Sequence, residues 1–519
     1  MSLTRREFLW GATASGLAWP IAAAGQSRAQ SGPGLFRHGV ASGDPQGDRV
    51  ILWTRVTPST GSASAGPTRP VEVRWRVASD PALMRTVQSG TISTTAERDF
   101  SVKVDAQGLT PGRTYYYAFE SGGERSPIGR TKTLPAGPLA RLRLASVSCA
   151  NYPAGFFNVY RMIAAREDLD AVVHLGDYMY EFANGVYGEG TSLKRLPQPL
   201  HEAVALEDYR QRYATYRTDP DLQEAHRQHP FIAIWDDHEI ANDAWIGGAP
   251  NHNPEIGEGT WAVRRAAAWR AYMEWMPIRE QPDTDIKLYR RFRFGNLADL
   301  VMVDTRSLRD RQAAADDLAA INSPARRVMG AAQEAWLYET LRASQAAGVP
   351  WRIIGQQVLF SSLVPAGRNL TFTDVWDGYQ AERERIFDFF VRTQARNIAI
   401  LTGDLHSSWA LDVPRNPWAG YRPQTGVGSL AVELVTPAIS SPGLFSPEQA
   451  ANVTAAMRVA VPTLKYLEGQ QRGYVLVDVT PQRLRADWYH ALTVSEQRTG
   501  ERLAASFVCE SGSAHLTSA

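Results

Sequence analysis

Four apolar runs in this chain end on side chains that bind metal ions. They are SVSCANY with Cys149, VVHLGDYMYEF with Asp177 and Tyr180, AIWDDHEIAND with Asp236, Asp237, His238 and Asn242, and LTGDLHSSW with Asp404 and His406. A single charged residue where a strand stops is ordinary loop solvation. Thiol, phenol, carboxylate, amide and imidazole gathered at four such ends call for another account. A thiolate and a phenolate suit a transition metal such as ferric iron, whereas Asn, Asp and water suit a harder ion, calcium, magnesium or manganese. A carboxylate between two such ions can bridge them, and two-metal sites stabilise both the attacking and the leaving oxygen of a displacement. Water on such an ion becomes a nucleophile near neutral pH, and a phosphate ester is the natural electrophile for the clamp.

The runs that carry these residues read as buried strands. From 141 onward RLRLASVS, DAVVHLGD, PFIAIWDD, LADLVMVDT, WRIIGQQ and RNIAILTGD alternate with helical segments. GTWAVRRAAAWRAYMEWM and MGAAQEAWLYETLRASQAAGVP are the clearest of these, the second closed by Gly348 and Pro350. Their aromatic stripes are core. The pattern is α/β, with strands buried on both faces and ligands collecting beyond their carboxyl ends. RGYVLVDVTPQRLRADWYHAL reads as an antiparallel pair completing the sheet.

Residues 36–134 differ. RVILWTRV and VEVRWRVA alternate as half-buried strands, and LTPGRTYYYAFE has the form of a tyrosine corner, so this region reads as an immunoglobulin- or fibronectin III-like β-sandwich without chemistry of its own. LPAGPLAR links it to a catalytic domain spanning 141–510. At the extreme N-terminus, TRREFLWGATASGLAWPIAAAG has paired arginines ahead of an Ala- and Gly-rich apolar stretch. It reads as a twin-arginine export signal over residues 1–30, with Ala24 and Ala29 as alternative cleavage points. That places the mature protein in the periplasm or outside the cell, with the twin-arginine translocation machinery as its partner in transit. The pathway carries folded proteins, often because a cofactor is loaded first. No later apolar run is long enough for a membrane anchor. With 55 Lys and Arg against 54 Asp and Glu, no basic surface for nucleic acid is expected. The two cysteines, Cys149 and Cys509, read either as one disulfide or as a ligand and a spare thiol.

Taken together, SCANY, GDYMYE, WDDHEIAND, GAAQEAWL, GDLHSSWALDV and RGYVLVDVTP resemble the alkaline phosphatase D (PhoD-like) family of calcineurin-type metallophosphoesterases over nearly the whole chain. The resemblance implies a metallophosphoesterase α/β sandwich behind the N-terminal β-domain. It also implies Fe3+ together with Ca2+, with Mn2+ or Mg2+ as substitutes for the latter. Cys149, Tyr180 and His406 would bind the iron, Asp177 would bridge, and Asn242 and Asp404 would hold the harder ion. His238 would protonate the leaving group or orient a ligand, with Asp237 beside it, and Arg306 would hold a phosphate oxygen or form a loop salt bridge. The implied activity is hydrolysis of phosphomonoesters or phosphodiesters by a metal-activated water or oxo nucleophile. The substrates would be small phosphate esters or phospholipids.

Two departures stand out. Asp236-Asp237-His238, with the amide displaced to Asn242, stands where the wider superfamily has Gly-Asn-His, and Val461-Pro462-Thr463 stands where many relatives have Asn-Pro-His, a change expected to alter specificity if that segment shapes the pocket. A phospholipase D-like diesterase is the nearest alternative. An exported binding protein with a decayed enzyme domain would have lost ligands, and a zinc hydrolase would want more histidines than the single one proposed here.

Overall fold

Eight strands open the computed structural model, which describes residues 34–57, 69–280, 286–365, 367–370 and 372–519. They are β1 (Val40–Gly43), β2 (Val50–Arg55), β3 (Val71–Ala78), β4 (Thr86–Thr94), β5 (Ser101–Ala106), β6 (Thr114–Ser121), β7 (Glu124–Arg125) and β8 (Gly129–Lys132). Sheet β4-β3-β6-β7, with β8 on β6, forms one layer, and β1, β2 and β5 form the other. Val50, Leu52, Val102 and Val104 meet Val73, Val77, Tyr117 and Phe119 in a shared core. The Tyr115 hydroxyl accepts from the Thr110 backbone N–H at 2.8 Å, as a tyrosine corner does. The export signal expected at the N-terminus lies outside the described residues.

The layer made of β1, β2 and β5 does not stop at its own edge. The chain continues with β9 (Leu142–Val147), β10 (Ala171–His174), β11 (Pro230–Ala233), β12 (Arg290–Phe294), β13 (Ala298–Met302), β14 (Trp351–Gln356) and β15 (Ile398–Thr402). It ends with β16 (Ser408–Pro414), β17 (Ser429–Val435), β18 (Leu464–Glu468), β19 (Gly473–Val479), β20 (Arg483–Ala491), β21 (Glu501–Glu510) and β22 (Leu516–Ser518). One sheet runs β22-β21-β20-β19-β9-β10-β11-β1-β2-β5, so β1 pairs in parallel with β11, with Gly43 opposite Phe231. Gly43 permits that approach: a Cβ there would lie 2.6 Å from the Phe231 carbonyl oxygen. Local sequence pattern gives no sign of this pairing, since the partners are far apart in the chain.

The second sheet, β12-β13-β14-β15-β17-β16-β18, stacks on the first. Its period-two alternation divides its side chains between two cores. Leu300, Met302, Ile353 and Leu401 join Val173, Ile232 and Val477 of the first sheet. Val301, Val303, Ile354 and Ile400 turn outward onto the helices Gly330–Ala346 and Gln380–Thr393. The helices Asn158–Ala164, Leu206–Tyr216 and Trp261–Trp275 contribute Met162, Tyr213 and Trp275 to the larger core. The α/β layering follows, and the parallel strands of both sheets deliver their carboxyl ends to one region. No described helix is long and apolar enough to cross a membrane.

Two buried histidines remote from those strand ends make the fold sensitive to acid. Burial, aided by Arg55, pulls His38 down to about 2, and burial aided by Arg130 pulls His229 down to about 4. Both folded values lie below the unfolded one, so the unfolded chain binds protons that the folded chain refuses. Stability is therefore lost as pH falls from about 6.5 towards 4, by about 3 kcal/mol per group at the lower end. The double variant His38→Gln/His229→Gln is expected to show a shallower fall of melting temperature between pH 7 and 4.5 than the unaltered chain. Parallel curves would exclude these groups as the cause.

Candidate metal centre

Each candidate ligand sits just beyond a strand. Cys149 follows β9, Asp177 and Tyr180 follow β10, Asp236 and Asp237 follow β11, and Asp404 and His406 follow β15. Backbone bonds lash these ends together: Cys149 N–H donates to the Gly176 carbonyl at 3.1 Å, and Ala150 N–H to that of Asp177 at 2.8 Å. Gly176 has φ +107°, and a Cβ there would lie 2.4 Å from that of Asp236, so only glycine lets the ends of β10 and β11 approach so closely.

Cys149, Asp177, Asp404 and His406 all have positive φ, at 62°, 54°, 61° and 52°. Non-glycine residues in this region store strain that persists only where surrounding structure enforces it. Here three separate loops are bent, the last of them at two positions, to aim side chains at a common point.

The side chains converge. The ligand atoms of Cys149, Asp177 and His406 lie within 4.8 Å of one another, as do those of Asp177, Asp237 and His238, and those of Asp236, Asp237 and Asp404. Asp177 belongs to two of these groups. The Tyr180 hydroxyl donates to Asp177 Oδ2 at 3.0 Å, lies 3.0 Å from His406 Nε2, and accepts from Ser441 Oγ at 2.8 Å. Tyr187 reaches the other ring nitrogen of His406 at 2.9 Å. Cys149 and Cys509 are both free thiols, so Cys149 remains available as a donor.

His238 packs against Tyr180 with ring centroids 4.1 Å apart and planes tilted by 33°, and its Nδ1 lies 2.8 Å from Glu181 Oε2. Burial would lower its pKa, but Asp237, Glu181 and Asp177 overcome burial and hold it up at about 10. The other oxygen of Glu181 accepts from the Asn242 backbone N–H at 2.6 Å and from Asn251. Asn242 is thus tied to the site through its main chain. Arg306 is fully committed to carboxylates: it donates to Asp236, to Asp374 at 2.9 Å and to Asp404 at 3.2 Å. Of the two readings of Arg306, the ion pair is the one its contacts describe. The Val461–Thr463 segment lies in the second sheet's packing, with Val461 in its outer core and the Thr463 carbonyl accepting from Asp412 N–H.

These residues fit cations. Asp177 Oδ1 and Asp236 Oδ2 are buried with no hydrogen-bond donor, a costly condition that a bound ion relieves. Asp177, Glu181, Asp236, Asp237, Glu239 and Asp404 are all buried, against Arg306 and His238 as nearby cationic side chains. Burial and Asp177 push the Cys149 and Tyr180 protons on more tightly. A multivalent cation bound beside them would reverse that balance and favour the thiolate and phenolate forms.

Several contributors are not visible as strand-end ligands in the sequence. Glu239 accepts backbone N–H bonds from Asp177, Tyr178 and Asp236 at 3.1, 2.7 and 2.8 Å. Glu181, Tyr187, Asp374 and Ser441 likewise arrive from loops. Glu181 and Glu239 did leave a signal, an acid set among Tyr, Phe and Ile directly after a metal-competent residue.

Residues 144–488 match the PhoD-like phosphatase family and residues 21–135 its N-terminal domain. Alkaline phosphatase D of Bacillus subtilis (strain 168) is 37% identical over 486 residues, spanning 91% of this chain and 80% of that protein. A solved structure of PhoD is 34% identical and superposes with a TM-score of 0.83, covering 94% of this chain and 93% of the other. With a family match over residues 144–488 and a relative 37% identical over 91% of its length, the chain belongs to the PhoD-like phosphatase family, whose members hydrolyse phosphoric esters.

Proposed function

We propose that this protein is an exported phosphoesterase that holds ferric iron and a calcium-type ion and acts on phosphomonoesters or phosphodiesters. The observation that carries this is Asp177, shared between a thiol–imidazole group and a carboxylate–imidazole group, with one oxygen left without a donor. Cys149, Tyr180 and His406 are the iron donors. Asp404, with Asp237 and the nearby Asn242, serves the harder ion, for which Mn2+ or Mg2+ can substitute. When bound, the cations supply an activated water and neutralise charge on the phosphoryl oxygens.

The chain's own side chains do the rest. Glu181 fixes the His238 ring by accepting at Nδ1, which leaves Nε2 to carry the proton to the departing alcohol, a contribution of about 10²–10⁴ in rate. Ser441 and Tyr187 hold Tyr180 and His406 in place. Arg306 keeps Asp236 and Asp404 together before any ion arrives. Twin-arginine export, read from residues outside the described region, agrees with a metal loaded before translocation.

Metal analysis with an optical spectrum tests the donor set. Protein purified from an exporting host is expected to contain iron and to show a visible charge-transfer band, weakened by Tyr180→Phe while iron content is retained. A colourless, iron-free and fully active preparation would defeat the assignment. Rates on p-nitrophenyl phosphate and bis-p-nitrophenyl phosphate separate monoesterase from diesterase action.

A further inference from the structure

Two arginines approach the metal donors, in opposite circumstances. Arg306 is saturated by carboxylates. Arg472 donates only to backbone carbonyls, from Nε to Ser441 at 3.0 Å and from Nη1 to Gln470, and among the described residues it forms no ion pair. Burial lowers its pKa against a weaker lift from Tyr187 and Glu468. A half-buried guanidinium whose hydrogen bonds all go to carbonyls keeps donors free for an anion at its open side.

Arg472 opens onto a cavity of about 320 Å³, lined also by Ala154, Leu193, Leu492, Thr493 and Ser495. That is the lower end of the size range of small-molecule sites. None of the metal donors lines the cavity, and Ser441 links its arginine to them. Ser441, whose carbonyl accepts from Arg472, places its hydroxyl 2.8 Å from the Tyr180 hydroxyl. Ala154 lies on the loop leaving Cys149, and Phe156 N–H closes the wall by donating to the Val494 carbonyl at 2.7 Å.

We infer that this cavity receives the alcohol side of the phosphate ester and that Arg472 selects alcohols bearing an anionic group, a carboxylate or a second phosphate. The inference rests on the phosphoesterase reading above. Leu193 and Leu492 pack an apolar stem, Thr493 and Ser495 offer hydroxyls, and the guanidinium forks onto the anion. A charge-assisted bond of this kind corresponds to about tenfold to a hundredfold in kcat/KM.

The test compares 4-carboxyphenyl phosphate with its neutral isostere 4-carbamoylphenyl phosphate, using the metal-loaded full chain. The unaltered enzyme is expected to prefer the carboxylate ester by about tenfold or more, chiefly through KM. Arg472→Met should abolish the preference by lowering kcat/KM on the carboxylate ester at least about tenfold more than on the neutral ester. Arg472→Lys, which keeps the charge, should retain part of it. Equal rates on the two esters by the unaltered enzyme, or an Arg472→Met variant that loses both activities alike, would overturn the inference and leave the phosphoesterase reading intact. Failure to hydrolyse either ester would overturn both.

Discussion

Asp177→Asn is expected to lower kcat by about a thousandfold or more, with the fold intact. A metal clamp contributes several kcal/mol of transition-state stabilisation, and each 1.36 kcal/mol is a factor of ten. The substitution removes the charge of the residue shared by the Cys149–His406 group and the Asp237–His238 group. It spares the scaffold for two reasons. Asparagine tolerates the left-handed backbone that Asp177 adopts at φ 54°, and the Asp177 N–H bond to Glu239 involves only the main chain. Turnover, metal content and circular dichroism together decide the matter. Unchanged turnover would remove Asp177 from the bridging position. Lost turnover with a collapsed spectrum would mean that the residue matters for folding instead.

Glu239→Ala should damage both stability and metal retention. The alanine strands three buried N–H groups, those of Asp177, Tyr178 and Asp236, at about 1–3 kcal/mol each. Partial relaxation brings the expected loss to about 4 kcal/mol. Glu239→Gln is the informative companion. Asp177 and Asp236 both donate to Oε2 and Tyr178 to Oε1, so an amide oxygen in the Oε2 position keeps two of the three bonds. Urea midpoints should rank unaltered chain, Gln, then Ala, and bound metal should follow the same order. An alanine variant as stable and as metal-rich as its parent would show that the two loops hold themselves.

The strand ends were legible because their chemistry is local: apolar β-branched runs that stop at Cys149, Asp177, Asp237 and Asp404 announce themselves within ten residues. The tyrosine corner around Tyr115 was legible for the same reason. What stayed hidden was relational. Arg306 reads from sequence as a loop arginine with two uses, and its ion pairs with Asp236, Asp374 and Asp404, brought in from three other segments, have no signature in its neighbours along the chain. Glu181 and Glu239 act on main-chain groups and on a neighbouring ring, contacts that no residue-type rule encodes. Asn242 shows the converse case. Its side-chain type suggests a ligand, and the backbone N–H that it gives to Glu181, which ties it to the site, has no signature in that type.

The hydrogen-bonded seam between β1 and β11 bears on how such a protein is built and inherited. Two family domains are recognised along this chain, with their border near residue 140, yet the border of pairing runs through the middle of a continuous sheet. Severing the chain there would bare two raw strand edges, the kind of surface that recruits foreign strands. The N-terminal portion is therefore better understood as the selvedge of the catalytic fabric than as a detachable appendage, and the modules of ancestry need not be the units that fold.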